Sequence, residues 1–223
     1  MRESKPESGA DRSGTDGAGS SGGSPVPALC VLLSGGGRTL VNLCERIERG
    51  ELRARVGLVV GSRACAGLER ARERGLSARV APGDLSAAAI EAMAAEFGVS
   101  WVVLAGYLRL VRIPESLRGR IVNIHPALLP SFGGRGMYGH HVHEAVLAAG
   151  CKVSGCTVHL CDDRFDTGPI LAQAACEVRD EDTAASLAAR VFALECELYP
   201  RALADLIAGR YVFDGRRTRR IGA

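Results

Sequence analysis

The sequence predicts an α/β fold, an open, mostly parallel, twisted sheet with helices on both faces, of the Rossmann-like kind. Two observations predict it. Short, nearly all-apolar runs alternate with helical patterns from residue 29 to residue 124, and strands without a polar face belong to parallel sheets covered on both sides. The first run also passes straight into a glycine-rich turn and a helix, Ser34-Gly35-Gly36-Gly37-Arg38-Thr39. In open α/β sheets such a strand-to-helix junction is where ligands bind.

The elements follow in order. Residues 1–27 are expected to be a disordered Gly/Ser-rich tail, because the first 24 hold six Gly and six Ser, mixed charges and no apolar run. Residues 29–34 form the first strand, and 39–49 a helix closed by Gly50. Residues 56–60 are a buried strand, 67–74 a helix closed by Gly75, and 78–81 a short strand. An alanine-rich helix at 85–97 precedes the strand at 101–105, and the strand at 121–124 follows a short helix begun at Pro114. Beyond His125 the texture changes. Residues 131–139 carry four glycines and read as a mobile loop. A helix at 141–149 comes next, then strands at 156–160 and 170–173 around a loop holding Asp166. A long last helix is expected from an N-cap at Asp182. Its apolar stripe is Leu187, Val191, Leu194, Leu198, Ala202 and Leu206, and Pro200 should kink or break it. One domain, 28–213, thus lies between the first tail and a basic C-terminal tail at 214–223.

Composition bounds the function. The chain has 223 residues, 47% hydrophobic and 24% charged, which suffices for one sizeable core. A net charge of +3 is too small to argue for nucleic acid or a membrane surface, and no apolar run has the length of a membrane span. Small-molecule partners are expected, with the chain a monomer or a homodimer. Eight cysteines form no C-x-x-C pair and read mostly as buried free thiols. With no visible signal peptide, they predict a cytoplasmic protein. Cys151, Cys156, Cys161 and His159 are close in sequence, but strand alternation sends Cys156 to the face opposite the other two cysteines.

The chemistry concentrates in Asn123-Ile124-His125-Pro126 and in Asp166. An amide can donate to a developing oxyanion, an imidazole can move a proton near neutral pH, and a carboxylate beside it favours and orients the imidazolium. No Ser or Cys is placed as a nucleophile, which suggests direct attack by a bound amine. Taken alone, each segment also reads as ordinary strand-end or turn chemistry, and spacing does not prove that the two meet. The turn at 34–39 offers backbone N–H groups and a helix dipole to an anion, with Arg38 and Thr39 as further donors. Leu40 stands where a dinucleotide fingerprint needs its last glycine, and no Gly-Lys-Ser/Thr is present. A single phosphate of a small metabolite fits better, and a glycine turn without ligand fits as well.

Four segments in this order carry a resemblance: Ser34-Gly35-Gly36-Gly37, Val103-Leu104-Ala105-Gly106-Tyr107-Leu108-Arg109, Asn123-Ile124-His125-Pro126-Ala127-Leu128-Leu129-Pro130, and Asp166-Thr167-Gly168-Pro169-Ile170. Over about 28–212 the chain resembles the phosphoribosylglycinamide formyltransferases, folate-dependent enzymes of purine synthesis. The resemblance implies the Rossmann-like formyltransferase fold, 10-formyltetrahydrofolate as formyl donor and the amine of glycinamide ribonucleotide as acceptor. It places Asn123, His125 and Asp166 on the family's catalytic trio; on that footing a proton is expected to pass from the amine to the folate by way of His125 or water. It places Gly37, Arg38, Thr39 and Leu40 on the substrate phosphate site and Glu195 on a carboxylate that contacts the nucleotide. Leu108, Arg109, Leu110 and Val111, with Asn123, fall on the folate site. The family needs no metal. The phosphate turn departs from the commoner Gly-Asn-Gly-Ser-Asn pattern, and His140, His141 and His143 cluster beside the glycine-rich loop, where loop or substrate contacts are expected. The alternative activity is that of a formyltetrahydrofolate deformylase, which hands the formyl group to water. A non-catalytic phosphate- or folate-binding module is a further alternative, against which the intact trio argues.

Overall fold

The structure, a computed structural model, describes residues 25–222. All but the last three residues of the tail expected at 1–27 lie outside them. The chain runs β1 (Ala28–Leu33), α1 (Arg38–Glu48), β2 (Arg55–Gly61), α2 (Ala66–Glu73), β3 (Ala78–Val80), α3 (Ala87–Phe97) and β4 (Val99–Leu104). A 3-10 turn at Glu115–Leu117 leads to β5 (Ile121–His125), α4 (His140–Ala148), β6 (Val153–Leu160), β7 (Ile170–Glu177) and α5 (Ala184–Ile207). A hairpin, β8 (Tyr211–Asp214) and β9 (Arg217–Arg220), follows α5.

Seven strands form one sheet in the order β3-β2-β1-β4-β5-β6-β7. The first five are parallel, and β6 and β7 are antiparallel additions. Strand order reverses at β1, so the carboxyl ends of β1 and β4 flank a crevice, the usual ligand position of such sheets. Alternation along β1 feeds two cores. Leu29, Val31 and Leu33 pack with Leu40, Leu43, Leu68 and the α5 stripe, whereas Cys30 and Leu32 pack with Ile90, Leu117 and Ile121 on the other face. Helices therefore cover both faces, as the apolar strands required. Among the described residues no helix is long and apolar enough to cross a membrane.

Four expectations are corrected. First, α5 is not broken by Pro200 but runs unbroken over Ala184–Ile207. Pro200 has no N–H for the carbonyl of Cys196, four residues back. The Asn42 side-chain amide on α1 donates to that carbonyl instead, at 3.0 Å. Second, the N-cap of α5 is Thr183, in a reciprocal pair with Ser186. Asp182, one residue earlier, accepts from Ser186 and from Arg190. Third, α3 starts at Ala87, because the Ser86 hydroxyl caps it and accepts from the Ala89 N–H, while Leu85 bridges to Val111. Fourth, the basic tail expected at 214–223 is folded through Arg220. Arg210 and Arg220 clamp the buried Asp205, and the hairpin turns at Gly215 with φ 58.

Tyr199, fully buried on α5, ties the helix to the sheet. Its hydroxyl donates to the carbonyls of Leu104 (2.9 Å) and Val122 (3.0 Å), one from β4 and one from β5. The loop leaving β5 is fixed with equal care: Thr157 Oγ1 donates to Ala127 O (2.7 Å) and accepts from Leu129 N (3.0 Å), and Gln173 Nε2 donates to Leu129 O (2.9 Å).

Candidate active site

Asn123 and His125 lie two residues apart on β5 and so share one face of the sheet. Val122 and Ile124 point the other way, into the core. The antiparallel register with β6 sets Asn123 opposite His159, which adds a second imidazole to that face. A register shift in the β6–β7 pairing falls between Val158 and His159, the kind of irregularity that re-aims a side chain beside a functional site.

Asp166 reaches the same place from the β6–β7 loop. Its backbone is left-handed, with φ 57, a conformation Asp and Asn tolerate better than most residues. Gly168, just beyond, has no room for a side chain, since a Cβ there would stand 1.9 Å from Leu160 O. The Asp166 carboxylate meets the network at both oxygens. Oδ2 accepts from Gly134 N (2.9 Å) and lies 3.5 Å from His125 Nδ1. Oδ1 lies 3.5 Å from His159 Nε2 and 3.4 Å from Asn123 Nδ2. His125 Nε2 donates to Phe132 O at 2.8 Å, and Phe132 is also left-handed, with φ 53. His159 Nδ1 donates to Leu160 O (2.9 Å), and its Nε2 stands 3.1 Å from the Asn123 amide nitrogen.

Electrostatics separates the groups. Burial alone would raise the Asp166 pKa, but hydrogen bonding to His159, the His125 ring and the Gly134 N–H outweigh it and hold the carboxyl below its ordinary value. Burial lowers the pKa of His125; Asp166 and the Phe132 carbonyl oppose this, yet the net direction is down. Burial thus holds His125 below the ordinary imidazole range, where a neighbouring carboxylate alone would have raised it.

These groups line a cavity of about 1140 Å³. At one end is the β1–α1 turn. Gly37 caps α1 with φ 73 and no side-chain hydrogen bond, and the first helical bond runs from Val41 N to Gly37 O. The N–H groups of Arg38, Thr39 and Leu40 are left without helical partners. A Cβ on Gly37 would stand 2.6 Å from Gly67 Cα. Gly37, Arg38 and Thr39 line the cavity; the Leu40 side chain does not, being fully buried in the core. The reason is helical phase: Leu40 and Leu43 carry the apolar stripe of α1. Arg38 stacks on the Phe192 ring of α5, 4.0 Å from its centroid. Glu195, one turn further along α5, lines the same wall, where burial pushes its pKa up to about 7 against the pull of Arg38.

At the other end Leu108, Arg109, Leu110 and Val111 line the cavity. The segment is fastened by Leu108 N to Ser34 Oγ (3.0 Å), Leu110 N to Asp84 Oδ1 (3.2 Å), and Leu85 N to Leu110 O (3.1 Å). The three histidines of α4 part company. His140 is exposed at the rim, His141 is exposed and 3.4 Å from Glu144, and His143 is buried in the cavity wall. Sequence reasoning considered His159 only beside three cysteines and expected of His143 no more than loop or substrate contacts. The usable signal was a histidine within an apolar strand run, Thr157-Val158-His159-Leu160, and one three residues into a helix from the rim.

Comparison with known proteins gives the arrangement its relatives. The formyl transferase family model matches residues 28–203. Two plant proteins named phosphoribosylglycinamide formyltransferase, chloroplastic, are similar: that of Vigna unguiculata is 39% identical over 83% of this chain, and that of Arabidopsis thaliana 42% identical over 77%. The matched region spans 62% of the length of each. A solved glycinamide ribonucleotide transformylase 1 from Symbiobacterium toebii is 38% identical, with TM-score 0.81, covering 88% of this chain and 95% of that one. A formyltetrahydrofolate deformylase from Burkholderia mallei is more distant, at 27% identity and TM-score 0.74 over 89% of this chain and 71% of its own. With its sheet and most of its last helix inside the matched region, this chain belongs to the formyl transferase family.

Proposed function

We propose that the chain transfers the formyl group of 10-formyltetrahydrofolate to the amine of glycinamide ribonucleotide, the reaction named for its plant and bacterial relatives. One observation carries the reading. A single cavity joins an uncapped helix N-terminus with a nearby arginine, the Asn123–His125–Asp166 cluster, and the 108–111 segment. At about 1140 Å³ it exceeds the usual range of about 300–1,000 Å³ for one small ligand, as a site for two substrates should.

The roles follow from position. The N–H groups of Arg38, Thr39 and Leu40 receive the phosphate, and Glu195 faces the nucleotide beside it. The 108–111 segment receives the folate. The amine attacks the formyl carbon, and charge develops on the formyl oxygen. Asn123 Nδ2 donates to it, because its 3.4 Å contact with Asp166 is too long to hold that N–H firmly. Anionic substrates add to the field of Asp166, so His125 takes up a proton as they bind and becomes a fixed cation beside the oxyanion. One oxyanion donor of this kind is worth about 3–4 kcal/mol of barrier. No metal is needed for these steps. Eight free cysteines support a reducing compartment, the cytoplasm, and the substrates are small molecules for a monomer or homodimer.

The test offers 10-formyltetrahydrofolate to the purified protein with and without glycinamide ribonucleotide. Formylated nucleotide appearing mole for mole with folate release is expected. Equal folate consumption without the nucleotide would show a deformylase instead.

A further inference from the structure

Helix geometry brings three metal-ligating side chains together at the cavity rim, outside the catalytic cluster. His140, His141 and Glu144 read His-His-x-x-Glu along the start of α4. Positions three and four apart are neighbours on a helix surface, so Glu144 stands one turn beyond both histidines. Helical side chains lean toward the N-terminus, which carries the Glu144 carboxylate back over the two rings. The distances agree. His141 Nδ1 and Glu144 Oε2 are 3.4 Å apart, and the two imidazole centroids are 4.1 Å apart. One ligand atom from each of the three lies within 4.8 Å of the other two. Among the described residues no other three His, Cys, Asp or Glu side chains meet in this way. All three are exposed, and the Tyr138 ring stands edge-on to His141 at 5.3 Å. The turn that carries them is lightly held. Gly139, the N-cap of α4, gives it no side-chain hydrogen bond, and the helix has nine residues, fewer than the about 12–15 that a helix needs to hold itself.

We propose that His140, His141 and Glu144 bind a zinc ion that clips the first turn of α4 at the rim of the cavity. Two imidazoles and a carboxylate suit zinc, whereas magnesium and calcium take oxygen ligands. Zinc draws such donors to about 2.0–2.2 Å and favours a tetrahedron. The exposed side chains close in by small rotations, and the fourth position goes to water. The ligands come from both ends of a single helical turn, so the ion ties that turn shut where Gly139 supplies no side-chain bond. The site is separate from the chemistry: formyl transfer does not require the ion, and the catalytic side chains stand on β5 and the β6–β7 loop. It is nevertheless next to them. His140 lines the cavity, and α4 directly follows the loop whose Phe132 O and Gly134 N meet His125 and Asp166. Bound zinc therefore steadies one wall of the cavity, whatever group is transferred inside it.

The experiment titrates the untagged chain, stripped of metal and kept reduced with a phosphine, with zinc chloride against a chromogenic zinc chelator. The titration is repeated for His140→Ala, His141→Ala and Glu144→Gln. These side chains are exposed, so without metal the variants should melt as the wild type does. We expect a zinc ion in the wild type whose dissociation constant rises about 100-fold in each variant, since even the outer partners of metal ligands are worth about 10–100-fold. Amide hydrogen exchange over residues 138–146 should slow when zinc is added to the wild type and stay unchanged in Glu144→Gln. Zinc held equally by the wild type and all three variants would place the ion on the cysteines or in the catalytic cluster and overturn the proposal. A wild type that takes up no zinc would do the same, as would zinc binding that leaves exchange over 138–146 unaltered. Magnesium chloride matching zinc in the exchange measurement would overturn the choice of metal and, with it, the role of the imidazoles.

Discussion

Asp166 and Glu195 are two carboxylates in one cavity whose surroundings push them in opposite directions, and their substitutions separate accordingly. Asp166 raises the pKa of His125, so Asp166→Asn should lower it further. If catalysis uses the protonated ring, the alkaline limb of the kcat/KM profile moves to lower pH. Asn tolerates the left-handed backbone of this position, so the fold should survive. An unmoved limb would mean that the two groups do not couple. For Glu195 the folded pKa, about 7, is above the ordinary carboxylate value. Folding therefore favours the protonated form, and stability from this site is present at low pH and lost as pH rises from about 4.5 to about 7. Glu195→Gln should accordingly raise the melting temperature at pH 8 and leave it nearly unchanged at pH 4. Equal effects at both pH values would show that Glu195 is not held in a desolvated wall.

Elements with strong periodicity were legible in the chain: β1, β2 and β4 are short, largely apolar runs, and the stripe of α5 names its buried face correctly. What failed was local and depended on distant partners. The proline rule predicted a kink or break at Pro200, and of these the break does not occur; the rule concerns an N–H that the helix itself cannot supply. Nothing near residue 200 announces that Asn42, on another helix, will take the Cys196 carbonyl. The pairing makes a clear prediction. Asn42→Ala should cost about 1–3 kcal/mol by stranding that carbonyl. In a Pro200→Ala background the restored N–H of residue 200 reaches Cys196, and the same substitution should cost much less. Urea midpoints for the four proteins give the coupling, expected at about 1 kcal/mol; additive effects would deny it. The cap of α5 was misplaced by one residue for a related reason. Asp182 and Thr183 are both competent caps, and the reciprocal bond with Ser186 decides between them.

At the scale of the whole molecule, the catalytic face is assembled from distant parts. Asn123 and His125 come from a parallel strand, His159 from an antiparallel one, Asp166 from a loop, and Glu195 from the last helix. Sequence motifs reported Asn123, His125 and Asp166 because they stand in distinctive runs. They could not report His159, whose place depends on the β5–β6 register, or the inward turn of His143. The terminal hairpin joins this assembly from behind. Arg216 in the hairpin turn donates to Thr167 O at 2.5 Å, and Thr218 of β9 donates to Ile170 O, so the hairpin grips both ends of the segment that follows Asp166. Arg216→Ala with Thr218→Ala should slacken that segment and lower kcat about tenfold, since small misplacements of reacting groups are costly. Substrate KM values and melting temperature should change little. An unchanged kcat would show that the loop holds its shape unaided.

The amide that takes the Cys196 carbonyl also limits how this sequence can drift. A proline at position 200 without an amide at 42 leaves a helix carbonyl without a donor, so the low-cost order puts the amide in place first. Departure is constrained in the opposite sense. Position 200 can surrender its ring and regain an N–H at little cost, after which position 42 is released to vary. The reverse route crosses a destabilised intermediate. Two residues 158 positions apart, sharing no motif and no chemistry of the active site, thus fix the order in which either of them can change at low cost.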